Sequence, residues 1–304
     1  MKQEKEKSVE IAFSVRTDLA IEARELAQSD AAEADELEGV EVETEEQKDY
    51  SLTHVRILSD AGSQRMGKPM GNYITLESEK LKENDVECHE KLIALLAENI
   101  RSLVKLKKDD CILVAGLGNW NITPDALGPK VVSKILVTRH LQGSLPEEIN
   151  AAVRPVAAIS PGVMGITGIE TGEIIKGIVE KLRPSLLIAI DALAARSCER
   201  LAATVQLSDS GINPGSGIGN NRKAICRETV GVPVIAPGVP TVVNSATLVY
   251  DALRQAGIEE IRPELHRVLE NGRSFFVSPK ESDVITDKIS ELIADAVDTA
   301  FTLV

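Results

Sequence analysis

The run Cys111-Ile-Leu-Val-Ala115, closed at once by Gly116-Leu-Gly-Asn119, decides how the rest of the chain is read. Its apolar residues are consecutive, not alternating, and too few for a helix, so the run reads as a strand covered on both faces. The glycines behind it allow a sharp turn. The pattern recurs. Pro155-Val-Ala-Ala-Ile159 stops at Ser160-Pro-Gly162, Ser185-Leu-Leu-Ile-Ala-Ile190 stops at Asp191, and Val232-Pro-Val-Ile-Ala236 stops at Pro237-Gly238. A shorter run, Thr204-Val-Gln-Leu207, reads as an edge strand. Between these runs, Ala126–His140, Glu170–Leu182 and Thr241–Ala256 carry apolar residues at helical spacing. Near the end, Val284, Ile285, Ile289, Leu292, Ile293, Ala296, Val297 and Ala300 form one stripe of a closing amphipathic helix, Val284–Phe301. Buried strands alternating with helices predict an α/β fold of three layers: a mostly parallel sheet with helices on both faces.

At 304 residues, 43% hydrophobic and 27% charged, the chain can bury a full-sized core. No apolar run reaches the roughly 18 residues needed to cross a bilayer. Met1–Glu10 is charged instead of apolar, so neither a secretory leader nor a membrane anchor is expected. Residues 30–49 hold ten acids and one lysine, a net −9 of the total −13. The remainder is mildly acidic, has no basic stripe, and carries only one Trp, three Tyr and four Phe, which argues against nucleic acid as a partner. Cys88, Cys111, Cys198 and Cys226 are widely separated, the pattern of a reducing cytoplasm, and Cys111 reads as a small core residue. His54, His89, His140 and His266 are scattered without an HExxH pair, so no metal or cofactor is expected. Residues 1–10 read as a mobile tail, and the glutamate-rich stretch Ser29–Tyr50 as a mobile, solvated loop or a frayed helix. From Ser51 onward the chain reads as one compact unit without linker or repeat.

In a parallel sheet, sites form beyond the carboxyl ends of the strands. Two acids stand there: Asp125, in the loop Gly116–Gly128, and Asp191, directly after its apolar run. Brought to one crevice by neighbouring strands, such a pair can share a proton, one acid activating water and the other protonating a leaving group. The structural alternative is equally concrete. Asp125 would cap a helix starting at Ala126, and Asp191 one running through Ala192–Leu201. Gly215-Ser-Gly-Ile-Gly219-Asn-Asn-Arg222 lacks the lysine of a phosphate loop and reads as a rim loop, while Ser216 is not in a GxSxG elbow. Ser160–Gly168 and Pro237–Thr241 have the Gly/Pro density of tight loops.

The ordered segments Ser14–Ala20, Val114–Asn119, Thr123–Pro129, Ser160–Gly168, Ile188–Arg196, Gly215–Arg222 and Pro237–Val243 resemble the germination proteases (spore proteases) of spore-forming bacteria. The resemblance implies an endopeptidase that begins the breakdown of small acid-soluble spore proteins in the spore core. It also implies a fold like that of hydrogenase-maturation endopeptidases, a homotetramer, and an acid-type mechanism on Asp125 and Asp191. Such enzymes cut after glutamate, before a hydrophobic residue and alanine, and are made as self-processing zymogens. Glu10-Ile11-Ala12 then marks residues 1–10 as a propeptide cut between Glu10 and Ile11, leaving a catalytic domain 11–304. One departure stands out: where the family favours an acid four places before the cut, this chain has Lys7, with Glu6 one place further out. Two rivals remain, a metal-dependent endopeptidase with the same acids as ligands and a non-catalytic Rossmann-like binding protein.

Overall fold

The computed structural model describes residues 9–10, 17–29, 37–83, 85–144, 146, 153–217, 222–258, 260–271 and 275–302. In chain order the elements are β1 (Val9–Glu10), α1 (Ala20–Ser29), β2 (Val40–Glu46), β3 (Ser51–Ile57), α2 (Asp60–Met66), β4 (Gly71–Glu77), α3 (Val86–Ser102) and β5 (Ile112–Gly116). There follow α4 (Leu127–Val132), β6 (Val156–Ile159), α5 (Met164–Thr167), α6 (Thr171–Leu182), β7 (Leu186–Ala195), β8 (Thr204–Ser208) and α7 (Arg227–Val230). The chain closes with β9 (Val234–Asn244), α8 (Ser245–Gln255), β10 (Glu260–Ile261), α9 (Pro263–Asn271), β11 (Phe276–Val277) and α10 (Ser282–Phe301). Ile11 lies outside the described residues.

The central sheet has nine strands in the order β2-β3-β4-β8-β9-β7-β5-β6, with β11 added to β9. β9, β7, β5 and β6 are parallel, as the four apolar runs require. The other half is antiparallel: β2, β3, β4 and β8 reach β9 by successive antiparallel pairs, so the sheet is mixed. Alternate residues of the buried strands serve opposite faces. Ile112, Val114, Leu186, Ile188 and Ile190 pack under α3, α4 and α10. Leu113, Ala115, Leu187 and Ala189 pack with Ile175 and Val179 of α6 and Val230 of α7. Farther along that sheet, α1 and α2 cover β3 and β4 through Ala20, Ala23, Val55, Ile57 and Met66. Three layers result.

Five local expectations change. Thr204–Leu207 belongs to β8, which lies between β4 and β9 and is not an edge; its residues are all buried. Pro237–Thr241 is not a loop but the middle of β9, where Pro237 sits opposite Leu207 and Pro240 opposite Leu193. The helix expected over Ala126–His140 is confined to α4, and the one over Thr241–Ala256 starts only at Ser245. The acidic stretch holds a strand where a loop or frayed helix is expected. In β2, Val40 and Val42 turn toward the α1–α2 cluster, while Glu41 and Glu43 meet Arg56 of β3 at 3.3 and 3.2 Å.

The turn after β5 depends on close backbone contact. A Cβ on Gly116 would lie 2.1 Å from Gly128 O, and one on Gly128 would lie 2.3 Å from Leu117 O and 2.6 Å from Ile190 O. Leu117 N–H completes the crossing by donating to Ile190 O at 2.8 Å. Gly128→Ala must therefore force α4 off the sheet, and urea unfolding is expected to show a loss of about 3 kcal/mol.

Candidate active site

β5 and β7 are neighbours, and the loop that leaves the carboxyl end of β5 brings Asp125 to Asp191 in the middle of β7. Asp191 is an internal residue of β7, registered against Gly238 of β9 and only 6% exposed. Asp125 ends a short 3-10 turn, Thr123–Asp125, which leads into α4. That turn is held over the sheet by Thr241 Oγ1 of β9, which donates to the Pro124 carbonyl at 2.7 Å. Neither acid caps a helix. α4 has Ala126 at its N-cap and no side-chain cap bond, and Asp191 continues a strand in place of starting a helix.

The Asp125 carboxylate points back along its own loop, where Oδ2 accepts from Asn119 N–H at 2.8 Å. The loop can fold this tightly because Gly118 adopts φ +105°; a Cβ there would lie 2.1 Å from the Asp125 carbonyl oxygen. Burial pushes the Asp125 carboxyl above its usual range, and the Asn119 N–H and the charge of Arg222 pull it back. Asp191 has less relief. Burial first, then the negative charges of Asp125 and Asp18, hold it well above the ordinary carboxylate range, against one bond from Ala192 N–H at 2.9 Å. A carboxyl raised strongly by burial and like charge, beside one raised less because an N–H and a cation favour its anion, is the asymmetry that acid–base hydrolysis uses.

The loops above these strand ends are apolar and open. Trp120 and Ile122 follow β5, and Met164, Ile166 and Ile169 follow β6; all five are exposed. Arg222, at the far end of the glycine-rich loop, reaches Glu170 at 3.4 Å and the Met164 sulfur at 3.7 Å. Ser216 of that loop donates to Asp18. Among the described residues, no three His, Cys, Asp or Glu side chains are grouped to hold a metal ion, so no step is derived through one. The cysteines are free, and Cys111, read as a core residue, is only half-buried.

Two participants lie in quoted segments but are not singled out by the strand-end argument. Asp18 lies far away in sequence and carries no strand-end signature. Arg222 closes a quoted motif, and the signal that points to it is a cation, with Lys223 beside it, following four small or amide residues and one isoleucine from Gly217 to Asn221.

A family model for the germination protease matches residues 20–256. The chain belongs to the germination protease family. Its similarity to the germination protease of Caldanaerobacter subterraneus subsp. tengcongensis is 44% identity over 95% of both chains. That of Clostridium perfringens strain ATCC 13124 is 43% identical, again over 95% of both. The Bacillus cereus ATCC 10987 enzyme is 50% identical over 79% of this chain and 66% of its own length. Among solved structures, the [NiFe] hydrogenase maturation protease HycI from Thermococcus kodakarensis KOD1 is matched at 15% identity and a TM-score of 0.36, over 66% of this chain and 99% of that one. Membership in the germination protease family makes this chain an endopeptidase of spore germination. No helix among its described residues is long and apolar enough to cross a membrane.

The raised Asp191 carboxyl has a consequence for stability. A carboxyl that folding raises above its unfolded value stabilises the fold at pH values below the unfolded one, and loses that contribution as pH climbs through the folded one. Asp191→Asn has no such proton to lose. Relative to wild type, the variant is expected to gain stability as pH rises from 4 to 8 in parallel denaturant titrations.

Proposed function

We propose that Asp125 and Asp191 are the catalytic pair of an acid-type endopeptidase, and that its substrates are small acid-soluble spore proteins. The observation that carries this reading is the meeting of two acids, remote in sequence, where β5 ends beside the middle of β7, the more buried one raised first by burial and then by its partner's charge. In this mechanism Asp125, favoured as the anion by Asn119 N–H and Arg222, takes a proton from water as it attacks the peptide carbonyl. Asp191 delivers its proton to the departing amide nitrogen. Neither acid forms a covalent bond to the substrate.

Specificity follows from the rim. The exposed apolar residues Trp120, Ile122, Met164 and Ile166 suit the hydrophobic residue after the cut, and Arg222 suits the glutamate before it. The same preference applied to the chain's own tail gives a zymogen that removes residues 1–10 at Glu10–Ile11 and leaves a catalytic domain, 11–304. The tail's described part favours this: Val9 and Glu10 form an extended strand paired with Ile261 and Glu260, and extended backbone is what a protease takes. The homotetramer fits the apolar surface left open after β9, where Val268 and Phe275 are 65% and 68% exposed. The enzyme would work in the cytoplasm of the forespore and the spore core.

The test is cleavage of a purified small acid-soluble spore protein by wild type, Asp125→Asn and Asp191→Asn, with the intact mass of each enzyme read in parallel. Wild type is expected to cut after glutamate and shed residues 1–10. Each variant is expected to stay whole and lose at least about 10²-fold in kcat. Chelator is expected to leave wild-type cleavage unchanged; its abolition would favour the same acids as metal ligands. Normal cutting by both variants would sink the acid pair.

A further inference from the structure

Thr17–Leu19, the link into α1, reaches the site from the opposite end of the chain. β5 ends at Gly116, opposite Ile190, while β7 runs on to Ala195 with β9 along one edge. Asp18 occupies the edge that β5 leaves. Its N–H donates to the Ala194 carbonyl at 3.0 Å, and Ala194 N–H donates to Asp18 Oδ2 at 2.9 Å. The other carboxylate oxygen accepts from Ser216 Oγ at 2.5 Å. Gly217 packs against the same carboxylate so tightly that a Cβ would lie 2.2 Å from Oδ2 and 2.7 Å from the Ala194 side chain. Behind it, the Asp18 carbonyl accepts from Lys68 Nζ at 2.9 Å and from Gln206 Nε2 at 3.1 Å. One residue thus joins the N-terminal link, β7, β8 and the glycine-rich rim loop.

We propose that Asp18 is a positioning residue of the acid pair, tying the part of β7 just beyond Asp191 to the loop 210–217 and setting a third carboxylate beside that acid. The proposal rests on Asp125 and Asp191 being the proteolytic pair. A helix-capping acid would need only the backbone of its own helix, whereas Asp18 spends both oxygens on groups from two other elements. The two bonds hold the strand segment and the rim loop together, and a shift of about 1 Å in such an anchor commonly costs 10²-fold in rate. The charge acts alongside. Asp191 faces Asp125 from the 123–125 turn and Asp18 from the N-terminal link, both of which favour its protonated form. Arg222 acts on Asp125 from the rim. Lys68 turns its ammonium to the carbonyls of Thr17 and Asp18, and Glu22 of α1 is engaged by Arg196 N–H, Ser197 N–H and Arg200. Removing the Asp18 charge therefore takes one of two negative neighbours from Asp191 and makes its proton easier to lose.

Two variants separate charge from tethering. Asp18→Asn keeps the shape and drops the charge; Ser216→Ala loosens the rim loop and keeps the charge. For both, and for wild type and Asp191→Asn, kcat and KM on a spore-protein substrate are measured from pH 4 to pH 9, with melting temperature in each buffer. In Asp18→Asn, kcat is expected to fall about tenfold with KM little changed. The alkaline limb of its kcat profile is expected to move toward acid by about half a pH unit or more. Ser216→Ala is expected to lower kcat with the limb in its wild-type place. An Asp18→Asn limb that stays put, or moves toward alkali, overturns the proposal whatever happens to kcat. If Asp18→Asn does not fold, Asp18→Glu is read in its place. Its retained charge is expected to leave the limb unmoved while its longer arm lowers kcat at least about tenfold, and full activity overturns the positioning role. Wild-type kcat in Asp191→Asn would instead overturn the acid pair itself, a separate outcome visible in the same assay.

Discussion

Gly116 and Gly128 pass each other with no side chain between them, at the point where the chain leaves β5 and enters α4. That contact sets the height of the connecting loop above the sheet. With a methyl group at either position, α4 would ride up, and the 123–125 turn would rise with it, out of reach of the Thr241 hydroxyl that pins it. Because Gly128 also presses on the Ile190 carbonyl, the same contact fixes the turn relative to β7, one residue before Asp191. The carboxylates meet because the backbones do.

The pair is held unequally, and the inequality is useful. Asp191 is built into a ten-residue strand, with β9 on one edge and Asp18 completing the other. Asp125 hangs from a turn, within reach of the amide of Asn119 and the field of Arg222. A rigid, desolvated acid beside a half-buried one held by an N–H needs little rearrangement as charge develops, which is how preorganised sites lower a barrier. The adaptable parts are elsewhere, in the apolar loops that follow β5 and β6, and an extended peptide would be read there.

The parallel half of the fold was plain in the sequence because its strands are unbroken apolar runs, and α6 and α10 because their stripes hold to the helical period. The antiparallel half was hidden for different reasons. β2 does alternate, valine in and glutamate out, but the alternation is buried in a stretch so rich in acids that composition points to a solvated loop. β8 carries Thr204 and Gln206, polar residues of an edge, yet they are buried: Gln206 accepts from Ala20 N–H and donates to the Asp18 carbonyl, satisfying both ends of its amide inside the protein. Pro237 and Pro240 imply a loop locally, while the long β7 partner keeps that segment extended. Of the candidate site, Asp125 and Asp191 could be found from their positions after apolar runs. Asp18 could not be found that way: it lies in the quoted segment Ser14–Ala20, but no apolar run precedes it to foretell a partner at position 194.

An open sheet ends in two edges whose free backbone groups can nucleate a foreign strand. Here β6 forms one end, is only four residues long, and has the N–H and carbonyl of Val156 taken up by Thr138. The other end is β2, seven residues of good strand geometry, and it is the end that carries Glu41, Glu43, Glu45 and Glu46. A second copy approaching edge to edge would align glutamate with glutamate. Among the described residues, the acidic stretch thus sets like charges along the longer open edge of the sheet, which disfavours edge-to-edge pairing.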